Sequence, residues 1–252
     1  MNDYREKLKG IVEGSNRIVF FGGAGVSTES GIPDFRSETG LYKAKAEFGY
    51  PPEYLISLTS FRRDPELFFS YYKANMLYPD AEPNPAHLAL AKLESEGKLL
   101  SVVTQNIDGL HRKAGSKRVH ELHGSVLRNI CTGCGENYGL DYILNEKNCQ
   151  GGDGNPTSVP KCKKCGGIVK PDVVLYEEAL DTDVISAASA DIRNADTLII
   201  GGTSLVVYPA ASYVNLFAGN NLVLINKGET GMDIRADLVI REPIGEVLSM
   251  FL

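Results

Sequence analysis

Helical and strand patterns alternate along most of the chain. Apolar residues at helical spacing in residues 3–13 precede a short apolar run, 17–21, which glycine closes. Continuous apolar strands between helices indicate a parallel sheet that is covered on both faces. The sequence therefore predicts an α/β fold with a doubly wound, Rossmann-like parallel sheet. The helix-then-strand order recurs at residues 87–96 and 99–104, 185–193 and 197–200, and 210–217 and 221–225.

Residues 127–170 break this alternation, because they are rich in Cys, Gly, Asn and Lys. We expect this segment to lack an apolar core and to form a small zinc-ribbon domain inserted in the first. The predicted division is a large domain of residues 1–126 and 171–252 and a small module of residues 127–170. The irregular stretch 31–52 is long for a connection in a compact domain and is predicted to be a functional loop.

Charge and length narrow the class of protein. The net charge is 26 − 32 = −6, without a run of like charges, which disfavours nucleic acid as a direct partner and favours basic peptides. No apolar stretch reaches the length of a membrane span, and residues 1–10 lack the apolar region of a signal peptide. The sequence predicts a cytoplasmic protein without membrane association, whose thiols are reduced.

Two C-x-x-C pairs lie in the small module. Each pair brings two sulfurs to one side of a tight turn, and two such pairs complete a tetrahedral thiolate site that suits zinc. Cysteine-only coordination leaves no position for water, so the predicted zinc is structural. Redox pairs or buried free thiols are the alternative. Cys149 has no C-x-x-C partner and is predicted not to bind metal; the predicted ligands are Cys131, Cys134, Cys162 and Cys165.

Glycine-rich and small polar residues follow three predicted strands. The segment 22–28 reads Gly-Gly-Ala-Gly-Val-Ser-Thr, which lets backbone amides approach a pyrophosphate. It departs from the dinucleotide fingerprint, because Thr28 replaces the third glycine and no acidic residue closes the next strand. Residues 200–204 and 224–226 place similar groups at the same sheet edge, which predicts a nucleotide site.

Candidate catalytic groups follow the strand at 99–104. Gln105 and Asn106 can bind hydroxyl groups, and Asp108 can accept from a carboxamide nitrogen. His123 stands beside Gly124 at a strand end, where a neutral imidazole could remove a proton from a hydroxyl. Taken singly, each of the four histidines could equally be a surface or core residue.

The ordered set of motifs resembles the sirtuin family of NAD-dependent protein deacylases, and in particular its bacterial and archaeal members. The resemblance runs from the first strand to nearly the end of the chain, and only the joint match is specific. It rests on Gly23-Ala-Gly-Val-Ser-Thr-Glu-Ser-Gly-Ile-Pro-Asp-Phe-Arg36, Thr104-Gln-Asn-Ile-Asp108, His123-Gly124, the four paired cysteines, Gly202-Thr-Ser-Leu-Val-Val-Tyr-Pro209 and Asn226-Lys-Gly-Glu229.

The resemblance implies NAD as a consumed co-substrate and zinc as a structural ion. It implies that Phe35 and Arg36 belong to a mobile cofactor loop within residues 31–52, with Phe35 shielding the ribose. Gln105 and Asn106 would address the nicotinamide ribose, and Ile107 with Asp108 the carboxamide. The residues placed against the phosphates and adenosine are Gly23, Ala24, Gly25, Thr28, Gly202, Thr203, Ser204, Asn226, Lys227 and Ile244.

The same resemblance implies the reaction. The amide oxygen of an acyl-lysine would attack the nicotinamide ribose, nicotinamide would leave, and an alkylimidate would form. His123 would then act as the general base, with Asn106 and Asp108 as its catalytic partners. Water would complete the release of lysine and 2′-O-acyl-ADP-ribose, so no hydride is transferred.

Substrate contacts are implied less directly. Residues 173–176 resemble the family strand that pairs with the substrate backbone, with Val174, Tyr176 and Val207 as contacts. Glu177 stands where the family usually has glycine, which could narrow the peptide groove. Tyr72 and Asn75 are predicted to share a helical face, within a helix 65–77, that looks into the acyl pocket. Asparagine carries no charge, so neutral acyl groups, acetyl above all, are expected.

The predicted function is NAD-dependent lysine deacetylation of acetylated proteins, by a chain expected to be a monomer. Four alternatives stay open at this point. They are an NAD-dependent dehydrogenase, a protein mono-ADP-ribosyltransferase, a deacylase of other acyl-lysines and a non-catalytic zinc-bearing binding module.

Overall fold

A six-stranded parallel sheet forms the centre of the protein, whose computed structural model describes residues 3–34, 45–149 and 157–252. Its strand order is β3-β2-β1-β7-β8-β9, and every neighbouring pair is parallel. The strands of this sheet are β1 (Ile18–Gly22), β2 (Leu99–Thr104), β3 (Val119–Glu121), β7 (Thr197–Gly201), β8 (Asn221–Ile225) and β9 (Leu238–Ile240).

Both faces of the sheet are covered, as the continuous apolar strands predict. All five residues of β1 are buried. Ile18 and Phe20 pack into one hydrophobic cluster, whereas Val19 and Phe21 pack into another on the opposite face. Because successive side chains of a strand point to opposite faces, this division confirms the doubly wound sheet.

The order of the strands fixes where a ligand can bind. After β1 the chain moves to β2 on one side, and it later crosses to β7 on the other side. Connections that leave in opposite directions open a crevice beyond the carboxyl ends of the two strands. Here that crevice lies beyond Gly22 and Gly201, the last residues of β1 and β7.

A second, antiparallel sheet of three strands lies in the segment that carries the cysteines. Its order is β5-β4-β6, with β4 at Gly124–Cys131, β5 at Asn137–Gly139 and β6 at Val169–Val173. The expectation that this segment lacks an apolar core is wrong. Ile143 and Val169 are fully buried in a cluster shared with Phe68, Phe69 and Tyr72 of a neighbouring helix.

The helices bracket the strands largely where the sequence predicts them. The predicted helix at 210–217 is a 3-10 helix, Ala210–Leu216, and the predicted helix at 65–77 ends at Asn75. Residues 45–48 of the predicted irregular loop 31–52 are helical. The α-helices are α1 (Asp3–Gly14), α2 (Pro52–Leu55), α3 (Leu58–Arg63), α4 (Pro65–Asn75), α5 (Pro85–Ser95), α6 (Leu110–Lys113), α7 (Leu140–Leu144), α8 (Thr182–Asn194) and α9 (Ile244–Leu248).

Within the three described ranges, none of the helices combines the length and the apolar character that crossing a membrane requires.

Candidate functional site

A cavity of about 950 Å³ lies at the carboxyl edge of the large sheet. Loops after β1, β2 and β7 form one side of it, and the start of β4 and the end of α4 form another. The structure brings fourteen of the predicted site residues to its wall. These are Gly23, Ala24, Asn75, Gln105, Asn106, Ile107, Asp108, His123, Val174, Tyr176, Gly202, Thr203, Ser204 and Val207.

Glycines allow the loops after β1 and β7 to touch through their backbones. The Gly25 N–H donates to the Gly202 carbonyl oxygen at 2.8 Å. A Cβ at Gly25 would lie 2.8 Å from Gly202 Cα, and Gly202 itself has φ +58, in the left-handed region that favours glycine. The two loops thus pack backbone against backbone, and their shared edge at the cavity wall, here called the glycine cradle, has no large side chain to keep a phosphate group away.

A chain of hydrogen bonds links the two predicted catalytic polar residues. The Ser27 hydroxyl donates to Asp108 Oδ2 at 2.7 Å and accepts from Asn106 Nδ2 at 3.0 Å. Ser27 is almost completely buried. No sequence pattern indicates this role of Ser27, because only the fold brings residue 27 next to residues 106 and 108.

Burial raises the pKa of the Asp108 carboxyl, and the nearby Glu121 carboxylate adds to this effect. Hydrogen bonds from the Leu110 N–H and from Ser27 oppose the shift without cancelling it. Asp108 is therefore a carboxyl group whose charge depends on the donors around it.

His123 lies at the end of the loop that enters β4, half-buried at the cavity wall. Its Nδ1 is 2.9 Å from the carbonyl oxygen of Gln105. Since a carbonyl oxygen only accepts, Nδ1 carries the proton, which leaves Nε2 of the neutral ring as the basic atom. Gln105 is itself fixed, because its side-chain amide donates to Thr203 Oγ1 at 3.1 Å.

The acyl-pocket prediction is half wrong. Tyr72 does not line the cavity: its side chain is 1% exposed and stacks on Phe68 within the apolar cluster of α4. Asn75 does line the cavity, together with Tyr71 and Ala74 of the same helix. The helical face is rotated by one residue relative to the prediction, because Phe68, Phe69 and Tyr72 make the more continuous apolar face against the small sheet.

The predicted substrate strand at 173–176 is also shorter than expected. Only Val173 belongs to β6. The Val174 N–H donates to the His123 carbonyl oxygen at 3.0 Å. Tyr176 bridges to another segment, as its N–H donates to the Ile56 carbonyl and its carbonyl accepts from the Leu58 N–H.

Some predicted NAD residues lie near this edge without lining the cavity. The Ile244 side chain is buried in the core of the sheet, and Thr28 is exposed, with its hydroxyl donating to the Gly25 carbonyl. Asn226 and Lys227 directly follow β8. Phe35 and Arg36, predicted for the cofactor loop, lie outside the described residues.

The structure brings the four predicted cysteines of the small sheet together. Their sulfur atoms all lie within 4.8 Å of one another, with Cys131 Sγ 3.4 Å from Cys165 Sγ and Cys134 Sγ 3.7 Å from Cys162 Sγ. A tetrahedral zinc ion with bonds of about 2.3 Å to sulfur requires sulfur separations of about 3.8 Å, so the four residues fit zinc. Cys149 lies apart, with its sulfur 3.1 Å from Lys73 Nζ.

Comparisons with known proteins agree on one family. The Sir2 family model matches residues 23–209. A protein from Clostridium perfringens named NAD-dependent protein deacetylase is 61% identical over 249 residues, 98% of each chain. A protein of the same name from Cutibacterium acnes is 48% identical, over 97% of this chain and 96% of its own.

Solved structures give the same result. The crystal structure of a Sir2 homologue in complex with NAD is 38% identical, with a TM-score of 0.83, and the match covers 98% of this chain and 91% of that one. A structure of Sir2 bound to an acetylated peptide is 33% identical, with a TM-score of 0.83, over 99% and 97% of the two chains. From its family match, its relatives and its fold, the chain belongs to the Sir2 family.

Proposed function

We propose that the protein is an NAD-dependent protein lysine deacetylase. One observation carries the proposal: a single cavity contains an oriented imidazole, the Ser27-linked pair of Asn106 and Asp108, and the glycine cradle. The names of the relatives above support it. The balanced reaction consumes acetyl-lysine, NAD and water, and releases lysine, nicotinamide and 2′-O-acetyl-ADP-ribose.

The residues of the cavity fit NAD as a substrate. Bound NAD supplies an activated ribose carbon, from which nicotinamide can leave. Gly23, Gly202 and Thr203 lie at the cavity wall in the loops after β1 and β7, where the phosphates would bind. Asp108 accepts from the carboxamide group, and Asn106 binds the ribose. Ser27 keeps both side chains in position, since its hydroxyl bonds to each of them.

His123 acts as the general base. The Gln105 carbonyl accepts the Nδ1 proton, so Nε2 is the basic atom that can take a proton from a ribose hydroxyl. That hydroxyl oxygen can then attack the carbon of the acyl group.

The peptide substrate lies between the loops that contain Tyr176 and Val207, both at the cavity wall. The acetyl-lysine side chain enters between these loops toward His123. A wall that includes the apolar side chains of Ile107 and Val126 excludes water from the acyl group and suits a short neutral chain.

The zinc ion is structural. Its four thiolate ligands fill a tetrahedral shell and leave no place for a reacting water. It holds the ends of β4 and β6 together, because Cys131 ends β4 and Cys165 lies in the turn before β6. The division at residues 127 and 170, the monomeric state and the cytoplasmic location stay predictions.

The test is a product analysis. The protein is incubated with NAD and an acetyl-lysine peptide, and mass spectrometry should find nicotinamide, the lysine peptide and O-acetyl-ADP-ribose in equal amounts. His123→Ala should lower turnover by about 10²–10⁴-fold while NAD and peptide still bind. Reduced cofactor would instead indicate a dehydrogenase, and ADP-ribose attached to protein would indicate a transferase.

A further inference from the structure

Glu177 has an unusual backbone conformation at the wall of the cavity. Its φ is +76, one of two positive values at non-glycine residues among the described part of the chain. This region is unfavourable for a residue with a Cβ and costs glycine nothing. The presence of a side chain at this φ therefore costs conformational energy. Strained backbone positions of this kind cluster at ligand-binding sites.

The carboxylate of Glu177 is held in place by helix α3. Its Oε2 accepts from the Thr59 N–H at 2.9 Å and from Thr59 Oγ1 at 2.7 Å. Oε1 makes no hydrogen bond within the described residues. A carboxylate can accept about four hydrogen bonds, so the group is ordered and still has an oxygen available to a ligand.

The other charged groups at the cavity wall are largely paired. Glu178 binds Lys170 at 3.0 Å. The cations Arg112 and Lys113 are paired with Glu121 and Glu82, at 3.5 Å and 2.8 Å. Glu177 is exposed and has no ion pair among the described residues, so its negative charge is available at the mouth of the cavity.

We infer that Glu177 determines substrate specificity, by binding an arginine or lysine side chain that flanks the acetyl-lysine in the protein substrate. Tyr176, the preceding residue, lies at the cavity wall, so the carboxylate is next to the path of the peptide. Because the carboxylate is already ordered by Thr59, little conformational freedom is lost when a cation binds. The inference rests on the proposed deacetylation, whose acyl site it extends.

Peptides that differ at one position test this specificity. In a short acetyl-lysine peptide, arginine, alanine or glutamate is placed in turn at each flanking position. An exposed ion pair should raise kcat/KM for arginine over alanine by about twofold to fivefold at one or two positions, mainly through KM. Glutamate there should lower it, and added salt should reduce the difference because salt screens exposed charges.

Variants separate the charge from the structural contact. Glu177→Gln should bring the arginine-to-alanine ratio to about 1, because the amide has the same shape without the charge. Thr59→Val removes the hydroxyl contact but retains the carboxylate, so the preference for arginine should persist. Asp183→Asn, an exposed change of equal charge outside the cavity wall, should leave the ratio unchanged.

An unchanged ratio in Glu177→Gln would overturn the inference. The role of Glu177 would then be limited to its hydrogen bonds with Thr59 of helix α3. Should Glu177→Gln fold poorly, Glu177→Gly serves in its place, since glycine adopts this φ freely. Fluorescence anisotropy with the same peptides gives the ratio without turnover. A protein that prefers the arginine peptide in binding but releases no nicotinamide would contradict the proposed function and retain this inference.

Discussion

Ser27 is the smallest feature on which the site depends. Replacement by alanine removes the donor to Asp108 and the acceptor for Asn106. Since the Ser27 hydrogen bond lowers the pKa of Asp108, its loss should raise that pKa further. If activity needs the Asp108 carboxylate, the variant should lose activity at a higher pH than the unaltered protein when the solution is acidified. In addition, kcat/KM for NAD should fall by about tenfold, as expected when a buried hydrogen bond to a charged group is lost.

The measurement is a pH profile of kcat/KM for NAD. Ser30→Ala is the matched control: it lies in the same segment, and its hydroxyl accepts from Asn84 instead. If kcat/KM falls at the same acidic pH in Ser27→Ala and in the unaltered protein, Ser27 does not act through Asp108.

Acyl preference should follow Tyr71 and Ala74, which are three residues apart on the cavity face of α4. Ala74 offers no cation, and the Lys73 ammonium binds Cys149 outside the cavity wall. A buried succinyl carboxylate would lack a partner, which costs roughly 1–3 kcal/mol or more. We expect kcat/KM for succinyl-lysine at least about tenfold below that for acetyl-lysine in the same peptide.

Two variants check the register of this helix. Ala74→Arg should raise kcat/KM for the succinyl peptide relative to the acetyl peptide. Tyr72→Phe should leave the preference unchanged, because the Tyr72 hydroxyl is buried without a hydrogen-bond partner in the described ranges. Equal activity toward both acyl groups in the unaltered protein would contradict the assignment.

The sequence predicts individual site residues well where they belong to a short motif of neighbouring residues. Asn106, Asp108 and His123 stand at strand ends, and their positions at one sheet edge follow from the parallel order. Ser27 and Tyr71 could not be found in this way. Ser27 gains its role only from contacts across about 80 positions of the chain, and Tyr71 differs from Tyr72 only in which face of α4 is buried.

The contact between His87 of helix α5 and His111 of helix α6 should make the stability of the protein depend on pH. His87 and His111 are buried with their ring centroids 4.7 Å apart. Burial lowers the pKa of His87 to about 4 and that of His111 well below its usual value. The unfolded chain, with histidine near pKa 6.5, therefore binds more protons between these values, so stability should fall as pH drops from about 6.5 to about 4.

The expected slope is up to about 1.4 kcal/mol per pH unit for each histidine. Urea unfolding at a series of pH values measures it. His87→Gln should reduce the slope and retain helix α5, because His87 is the third residue of a capping box with Asn84 and glutamine also serves there. A slope that is the same in the variant would exclude His87 as a source.

The two cysteine pairs make a prediction for the small sheet. Cys131→Ser should abolish zinc binding and loosen β4 and β6, since structural zinc contributes about 10–16 kcal/mol to the folding of small zinc domains. Cys149→Ser should retain one equivalent of zinc. Elemental analysis measures both, and zinc loss in Cys149→Ser would show that the ligand set is wrong.

Whether a strand is predictable from the sequence depends on its length. Strands β1, β2, β7 and β8 have five or six residues each, long enough for a continuous apolar run to be recognised. Strand β9 has three residues and is not predicted, because so short a run has no readable period. Strand β3 is equally short, and only its carboxyl end beside His123 is predicted. The core of the cysteine segment is not predictable for another reason: Phe68, Phe69 and Tyr72, which lie outside the segment, supply its largest fully buried side chains.

The two sheets of the molecule meet at Gly124. Its φ is +75, and a Cβ there would overlap the carbonyl oxygen of Asp172 in β6. Gly124→Ala should therefore destabilise the protein by more than about 3 kcal/mol, which combines a strained backbone with a clash against rigid backbone. It should also remove activity, because His123 is the preceding residue.

Gly97→Ala is the control for this variant. Gly97 has φ +74, but a Cβ there would meet nothing within 4 Å, so only the backbone penalty of about 1–2 kcal/mol applies. Chemical denaturation gives both values. Similar losses for the two alanine variants would mean that the contact with Asp172 is unimportant.

The overall architecture was predictable because alternating helices and apolar strands admit few arrangements. The sequence could not indicate how the cysteine segment and the helices at 58–75 share one core, since that depends on contacts between segments about 60 to 100 positions apart. Residues of this shared core, such as Val126 and Val173, also line the cavity. The acyl pocket beside α4 is therefore harder to predict than the nucleotide site at the loops after β1 and β7.

Strand β4 begins directly after His123 and ends at Cys131. One strand therefore connects the catalytic base with the metal site, although its pairing with β6 shifts between Ser125 and Asn129, where the strand is expected to bend. Loss of the metal should therefore reach the imidazole only through this strand, since His123 is not a metal ligand. Enzyme that has partly lost its zinc should behave as a mixture of fully active and inactive molecules, with a reduced kcat per protein and an unaltered KM.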